Sequence, residues 1–375
     1  MTLFEKYGIM YNIVKGIQML KFLNICDPHI GISAYGNLNL KTGVNSRIED
    51  TVANLKKALS MAKDDSINFI TILGDIFNLK TPSNIMRDMF TNAFEGILGE
   101  KDIYIIPGNH DSESLSHALS SLKILGAKNR IYIIDEPTVI NRDNYNLVFL
   151  PWSKDYNLIE KIKEYSKLDN SLIFGHFTTS HSVLSNDFVL EVGEQTVPVE
   201  LLEDSKFLSV FLGHIHKRQK LSDKKEIIHC GSLVKCNFGE INDGEKGVVL
   251  ATIDNKTTTV KFIPIEDREF IQVDYKDIDK IDDKDSIVKV TGECTLEEKK
   301  DISILEIRNK LKDKCYKIYD IDITTKDVKT EVKDSDKFTP LLSEINALRL
   351  WCENNKLRDS VLKKAEEIIN ENIKS

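Results

Sequence analysis

The sequence predicts an α/β fold, a largely parallel sheet with helices on its faces, and three observations carry that expectation. From Met19 to Leu125, an apolar strand, a polar turn and an amphipathic helix follow one another three times. Strictly alternating elements of this kind build parallel sheets covered by helices. Each strand stops at a turn rich in Gly, Asp, Asn or His, the edge at which such sheets bind ligands. The third observation is Gly213-His214-Ile215-His216, directly after the apolar run Phe207 to Leu212. Side chains alternate along an extended backbone, so imidazoles two residues apart point the same way.

In chain order, residues 1–18 read as an extension, and Met19 to Ile25 as the first buried strand, ending in Cys26-Asp27-Pro28-His29-Ile30-Gly31. Pro and Gly force a loop there. Asn45 and Ser46 can cap a helix reaching Lys63, with Val52, Leu55, Leu59 and Ala62 on one face. Asn68 to Leu73 is a strand ending at Gly74-Asp75-Ile76-Phe77-Asn78, and Pro82 and Ser83 open a helix to Leu98. Ile103 to Ile106 leads into Pro107-Gly108-Asn109-His110-Asp111 and a helix from Ser114 to Leu125. Strands follow at 131–134, 145–150 and 171–174, the last ending in Gly175-His176, with a helix at 158–167. Glu226 to His229 is a further strand, and 248–253 with 258–263 form a hairpin over Asp254-Asn255. All the polar turns are expected on one edge of one sheet.

The pattern changes after Asp267. Strands at 270–275, 287–290 and 316–323 and a helix over 296–311 predict a small α+β domain at 268–325. Residues 326–338 are charged and read as a linker. Two short amphipathic helices, 341–353 and 361–373, complete a helical element at 339–375.

Composition narrows the class. A chain of 375 residues with 41% hydrophobic and 29% charged residues is globular and long enough for about two domains. No segment approaches the roughly 20 apolar residues of a membrane span, and the first residues lack the pattern of a signal peptide. Six cysteines without a C-x-x-C argue against a disulfide framework or zinc knuckle and for a reducing cytoplasm. A net charge of −8 argues against a chain that coats nucleic acid nonspecifically, though not against a local basic groove.

Taken together the turns offer Asp27 and His29, Asp75, Asn109, His110 and Asp111, His176, His214 and His216. Any one of them could serve only its turn. The ordered series Asp-x-His, Gly-Asp-x-x-Asn, Gly-Asn-His-Asp, Gly-His and Gly-His-x-His resembles the calcineurin-like metallophosphoesterases. Within that superfamily it is most similar to the SbcD or Mre-eleven type of DNA repair nuclease, and its richness in Lys, Asn and Ile points to an AT-rich genome such as a phage's. Gly31, Thr196-Val197-Pro198-Val199, Lys217-Arg218-Gln219, Gly231-Ser232, Asn237-Phe238-Gly239-Glu240 and Lys246-Gly247 support the resemblance, which is strong over residues 19–270. It departs at Asn78, where family members commonly carry His or Asp.

The resemblance implies a four-layer β-sandwich flanked by helices over 19–267, with 268–325 as a capping domain. It implies two metal ions, one held by Asp27, His29 and His216, the other by Asn109, His176 and His214, with Asp75 bridging. Carboxylate, amide and imidazole without thiolate suit Mn²⁺, with Mg²⁺ or Fe²⁺ as alternatives. His110, adjacent to a ligand, is placed to protonate the leaving oxygen or stabilise charge on the phosphorus. His117, His181 and His229 match no ligand position. The resemblance further implies nuclease action on DNA ends and single strands, a homodimer, and an SbcC-type ATPase partner bound by 339–375. Lys217, Arg218 and Lys220 are candidate DNA contacts, although solvated loop charge is the commoner meaning of such a run. Two other readings share the site: a phosphodiesterase or phosphatase with a non-DNA substrate, and a non-catalytic scaffold.

Overall fold

The computed structural model describes residues 19–111, 129–185, 187–190 and 196–325. The extension at 1–18, His117 with the helix expected over 114–125, and the linker and terminal helices expected from 326 onward lie outside the described residues. The chain divides into two compact units, Met1–Thr324 and Thr325–Ser375, and the elements named below lie in the first, the last strand ending at the boundary.

In chain order the main strands are β1 (Leu20–Ile25), β2 (Phe69–Leu73), β3 (Asp102–Ile106), β4 (Ile131–Ile133), β5 (Thr138–Arg142), β6 (Tyr145–Leu150) and β7 (Ser171–Gly175). They continue with β8 (Phe207–Leu212), β9 (Gln219–Lys220), β10 (Glu226–His229), β11 (Gly247–Asp254) and β12 (Thr257–Pro264). These strands form two sheets, of order β12-β11-β1-β2-β3-β4 and β9-β10-β8-β7-β6-β5. The central strands β1 to β4 pair in parallel, as do β6, β7, β8 and β10. The turns therefore sit on the edges of two facing sheets, not one. The physical reason is that β1, β2, β7 and β8 are apolar on both faces, so each sheet buries one face against helices and the other against its partner sheet.

Between the sheets, Phe22 stacks on Phe69 at 4.8 Å and meets Phe174 and Phe211 edge-on at 5.3 and 5.2 Å. All four rings are buried, each worth about 1.5–3 kcal/mol in area removed from water. On the outer face of the first sheet, Leu23, Ile25, Ile70 and Ile72 pack against helices α1 (Ser46–Met61) and α2 (Asn84–Ala93). Asn45 caps α1 and Ser83 caps α2 by accepting backbone N–H bonds. Helices α3 (Leu158–Tyr165) and α4 (Val199–Glu203) cover the second sheet through Leu158, Ile162 and Leu202. The layers thus run helix, sheet, sheet, helix.

Beyond β12 in the chain, β13 (Phe270–Asp274), β14 (Asp283–Cys294) and β15 (Cys315–Thr325) form a separate three-stranded sheet. The helix expected over 296–311 is instead two, α5 (Glu298–Asp301) and α6 (Ile304–Leu311), because Ser303 leaves the helical conformation and caps the second through Glu306 N–H. Phe270 and Ile287 pack with Ile32 and Tyr35. Arg47, wholly buried in α1, pairs with Asp267 and donates to the Lys235 carbonyl at 2.9 Å. This pair ties the helix layer to the segment that enters the three-stranded sheet.

Candidate metal centre

The carboxyl ends of β1, β2 and β3 face those of β7 and β8, and the turns that follow them are stitched together by backbone bonds. His29 N–H donates to the Asp75 carbonyl at 2.9 Å and Ile30 N–H to that of Ile76 at 2.8 Å. Across the sandwich, Leu233 N–H donates to the Cys26 carbonyl at 2.9 Å. Asp27, His29, Asp75 and His214 all adopt positive φ, at 46°, 48°, 46° and 78°. That region is costly for residues other than glycine and is tolerated where surrounding contacts over-determine it, typically at functional sites. The glycines beside them are needed for space. A Cβ on Gly108 would lie 2.1 Å from Asp75 Oδ1, and one on Gly74, at φ 83°, would lie 2.0 Å from His176 Nδ1.

Of the ligands expected from the sequence, His29, Asp75, Asn109, His176, His214 and His216 meet in two clusters, and Asp27 lies behind them, 3.7 Å from His176 Nδ1. In the first, His29 Nε2 lies 2.9 Å from His216 Nε2 and 3.5 Å from Asp75 Oδ2. In the second, Asn109 Oδ1 lies 3.1 Å from His176 Nε2 and 3.0 Å from His214 Nδ1, and Asp75 Oδ1 lies 3.5 Å from His176 Nε2. Asp75 thus turns one oxygen toward each cluster. Asp27 is fully buried and accepts the His214 N–H on both oxygens, at 3.0 and 3.1 Å.

The donor chemistry of both clusters fits a cation. His176 Nδ1–H donates to the Leu73 carbonyl at 2.9 Å, and His216 Nδ1–H to Glu240 Oε1 at 2.9 Å. Each of these imidazoles therefore turns Nε2 inward as a lone pair when neutral, the arrangement common among metal-ligating histidines. Those lone pairs then face an amide oxygen in one cluster and a second imidazole in the other. Such close acceptor pairs repel unless a proton or a metal ion lies between them.

The electrostatics of the ion-free cluster divides the ligands: His29, His214 and Asp75 are held in the ligating form, while His216 and Asp27 are drawn toward the protonated one. Burial, with His216 adding repulsion, pushes the His29 imidazole down to about 3, and burial with His176 does the same to His214. Burial opposes charge on His216 too, but Cys236 and Glu240 carry it well above its ordinary range. Burial raises the Asp27 carboxyl to about 6, only partly offset by His176 and His216. At Asp75 burial is outweighed by His176, His29 and the His110 N–H, and the carboxyl is held low. A bound cation is the largest charge in such a site and favours the ionised carboxylates and neutral imidazoles throughout.

His110 borders the first cluster: one of its ring nitrogens falls within 4.8 Å of ligand atoms of His29 and Asp75, and its ring meets that of His29 edge-on at 5.0 Å. Its backbone N–H donates to Asp75 Oδ1 at 2.9 Å, while its ring Nδ1–H donates to the Asn78 carbonyl at 3.2 Å. The ring lines a groove of about 440 Å³ shared with His29, Tyr35, Asn78, Leu79, His216 and Cys236. Asn78 orients His110 through its backbone, so this contact does not depend on the His or Asp common in the family at that position. Asp111 does not bond the His110 ring within the turn. It is buried and accepts N–H bonds from Ile76, Phe77 and Gly108 at 3.0, 3.1 and 3.0 Å, clamping two turns together.

The remaining candidates are engaged elsewhere. Lys217 pairs with Asp187 at 2.6 Å, Arg218 lies 4.2 Å over the Phe262 ring, and Lys220 pairs with Glu226 at 2.6 Å. His181 is exposed. His229 is buried and structural, its Nδ1 on the Gly213 carbonyl at 3.2 Å and its Nε2 near Ser182 and Thr179 at 3.0 and 3.2 Å. Sequence reasoning missed Glu240 as the partner of His216. The available signal was chemical: a ligating histidine needs an acceptor on its other nitrogen, and Glu240 is the acid in the Asn237-Phe238-Gly239-Glu240 turn.

The calcineurin-like phosphoesterase profile matches residues 20–218, more than half of the chain, and the chain belongs to that family. Its fold holds a dinuclear metal centre, for which the His and Asp clusters are the candidate sites. Exonuclease subunit 1 of Enterobacteria phage T4 is 23% identical over 270 residues, covering 71% of this chain and 74% of that protein. The SbcD subunit of the SbcCD nuclease from Staphylococcus epidermidis is 24% identical over 292 residues, covering 69% of this chain and 74% of that protein. The similarity to SbcD-type nucleases thus extends over about two thirds of the chain, and one of these relatives is a phage protein. Among solved structures, a dimetal phosphatase from Danio rerio aligns with a TM-score of 0.43 at 14% identity, over 65% of this chain and 96% of that one. No helix among the described residues is long and apolar enough to cross a membrane.

Proposed function

We propose that the chain is a two-metal DNA nuclease, an exonuclease on ends and an endonuclease on single strands, acting in DNA repair and recombination. In this reading Asp27, His29 and His216 hold one ion, Asn109, His176 and His214 the other, and Asp75 bridges them. The observation that carries it is the pair of donor clusters on either side of the Asp75 carboxylate, with His110 on the groove beside them. Mn²⁺ is the preferred ion, since oxygen and imidazole donors dominate.

When bound, the two ions supply a water of lowered pKa and charge stabilisation for in-line displacement at phosphorus. The chain does the rest. Asp75 holds its position through the His110 N–H, and Glu240 keeps the proton of His216 on Nδ1 so that Nε2 faces inward. His110, anchored through Nδ1–H, is free to carry a proton on Nε2 and release it to the departing sugar oxygen.

DNA as substrate is supported by the nuclease names of the relatives. So is a partner ATPase of the SbcC type, which the helical element at 339–375 would bind, with 268–325 as the capping domain. A homodimer working in the cytoplasm, of the host if the gene is a phage's, completes the reading. The test is Mn²⁺-dependent cleavage of linear duplex and single-stranded DNA beside hydrolysis of bis-p-nitrophenyl phosphate. Turnover of the small ester without any cleavage of DNA would overturn the nuclease reading and leave a phosphodiesterase.

A further inference from the structure

The side chain of Cys236 has no part in the proposed hydrolysis, yet it lies at the centre. Its Sγ and one ring nitrogen each of His29 and His216 all fall within 4.8 Å of one another. The three come from three separate segments of the chain: the turn after β1, the turn after β8, and the loop that follows Gly231-Ser232. One carboxylate positions two of them. Glu240 accepts His216 Nδ1–H on Oε1 at 2.9 Å and the Cys236 backbone N–H on Oε2 at 3.2 Å, and Lys246 pairs with Glu240 at 2.9 Å. His216 Nε2 is thereby left for a ligand, 2.9 Å from His29 Nε2. Cys236 is only partly buried and lines the 440 Å³ groove, so ions reach it from solvent. Its thiol makes a long contact of 3.7 Å to the Val234 carbonyl and a hydrogen bond with the His216 ring, which ligation of an ion by both would replace.

Two imidazoles and a thiol on a common point form a donor set of a different kind from the oxygen-rich set around Asp75. Hard ions such as Mn²⁺ gain little from sulfur, whereas borderline and soft ions gain a strong bond to thiolate. Two nitrogens and one sulfur, with a fourth position open to water, match the donor types and number of a four-coordinate zinc or cadmium site. We propose that His29, His216 and Cys236 form a second, competing binding mode at this centre, which takes Zn²⁺ or Cd²⁺ as a thiolate complex and thereby blocks hydrolysis. The reading rests on His29 and His216 being ligands of one ion in the hydrolytic centre. Binding transfers the thiol proton to solvent and forms one metal–sulfur bond, with no change of oxidation state. The enzyme is then switched off by the soft ion, since the shared histidines cannot serve both sets at once.

The experiment uses the full chain freed of metal, with Cd²⁺ as probe. Wild type should develop the ultraviolet sulfur-to-cadmium charge-transfer absorption, saturating at one ion per chain. Cys236→Ser should lose that band, with its melting temperature and Mn²⁺ binding retained, and His216→Ala should weaken the wild-type band by at least about tenfold. Zn²⁺ should inhibit Mn²⁺-dependent hydrolysis by wild type at concentrations at least about tenfold lower than it inhibits Cys236→Ser. A band that persists in Cys236→Ser, or is indifferent to His216→Ala, would overturn the proposal, since the thiolate would then be another cysteine or a lone one. Mn²⁺ binding is followed in parallel by its electron paramagnetic resonance signal. If Mn²⁺ fails to bind while the Cys236-dependent cadmium band forms, the hydrolytic reading fails and the thiolate site stands; the reverse result sinks the thiolate site alone.

Discussion

Glu240 Oε1 accepts the Nδ1–H of His216 at 2.9 Å, with both groups drawn into the same buried network as Lys246. Burial would raise the Glu240 carboxyl, but His216 and Lys246 outweigh it and hold it down at about 2. It is therefore a carboxylate under all ordinary conditions, and it fixes both the tautomer and the ring orientation of His216. Glu240→Gln keeps the shape and removes the charge. Loss of such an outer partner typically costs 10–100-fold in metal affinity or activity, so Mn²⁺ affinity measured by calorimetry should fall by about that factor. An unchanged affinity would mean that His216 is oriented by packing alone.

Asp75 faces both clusters, with Oδ2 3.5 Å from His29 Nε2 and Oδ1 3.5 Å from His176 Nε2. Replacing its carboxylate by an amide removes negative charge from both ions together. Asp75→Asn should abolish hydrolysis and lower the metal content of the purified protein, as read by elemental analysis. Two ions per chain with normal turnover would show that the bridge lies elsewhere.

Much of this centre is legible in the sequence because glycine and proline mark the strand ends and polar side chains follow them at once. Asp27, Asp75, Asn109, His176 and His214 could be placed at turns from local chemistry alone. The two-sheet arrangement is not legible that way, since an apolar strand reads alike whether helices or another sheet cover it. Phe22 and Leu23 are both fully buried, yet one meets the partner sheet and the other the helices. The strand Thr138–Arg142 escapes notice for the opposite reason: none of its residues is fully buried, so its apolar signal is weak. Glu240 and Cys236 are silent because their roles depend on a loop that returns to His216 from 20 or more residues away, as the Glu240 separation of 24 shows.

Acid should destabilise the metal-free protein, and His229 supplies one separable part of that. Burial, partly opposed by the Gly213 carbonyl and reinforced by His176, pushes its imidazole down to about 3 from an ordinary 6.5. Between those values the unfolded chain binds a proton that the native state refuses. Stability is therefore full above about 6.5 and falls as the pH drops toward 3, by up to about 1.4 kcal/mol per pH unit for each such group. His29 and His214, also pushed to about 3, add the same trend. His229→Gln keeps a polar side chain beside Ser182 and Gly213 but cannot titrate. Urea unfolding from pH 7 to 5 should show a slope smaller by about one proton than wild type; an equal slope would mean that His229 is already protonated or solvated in the native state.

His110 offers the sharpest separation of catalysis from ligation. Its backbone N–H serves Asp75 at 2.9 Å, so the residue touches the centre whatever its side chain is, while ring Nδ1 is held by the Asn78 carbonyl at 3.2 Å and the ring lines the groove beside His29. His110→Ala keeps the backbone bond and removes only the ring. A positioned acid or charge-stabilising group is typically worth about 10²–10⁴-fold, or roughly 3–5 kcal/mol of barrier. The variant should lose that much in the rate of Mn²⁺-dependent DNA cleavage, yet keep two ions, its melting temperature and most of its DNA affinity. His214→Ala, by contrast, should lose metal as well as rate, because its Nδ1 faces Asn109 Oδ1 at 3.0 Å. A scaffold without chemistry would show no cleavage to lose in either variant. If His110→Ala cleaved DNA at close to the wild-type rate with its ions in place, the proton would have to come from another donor, and the ring of His110 would be left with the groove wall as its only role.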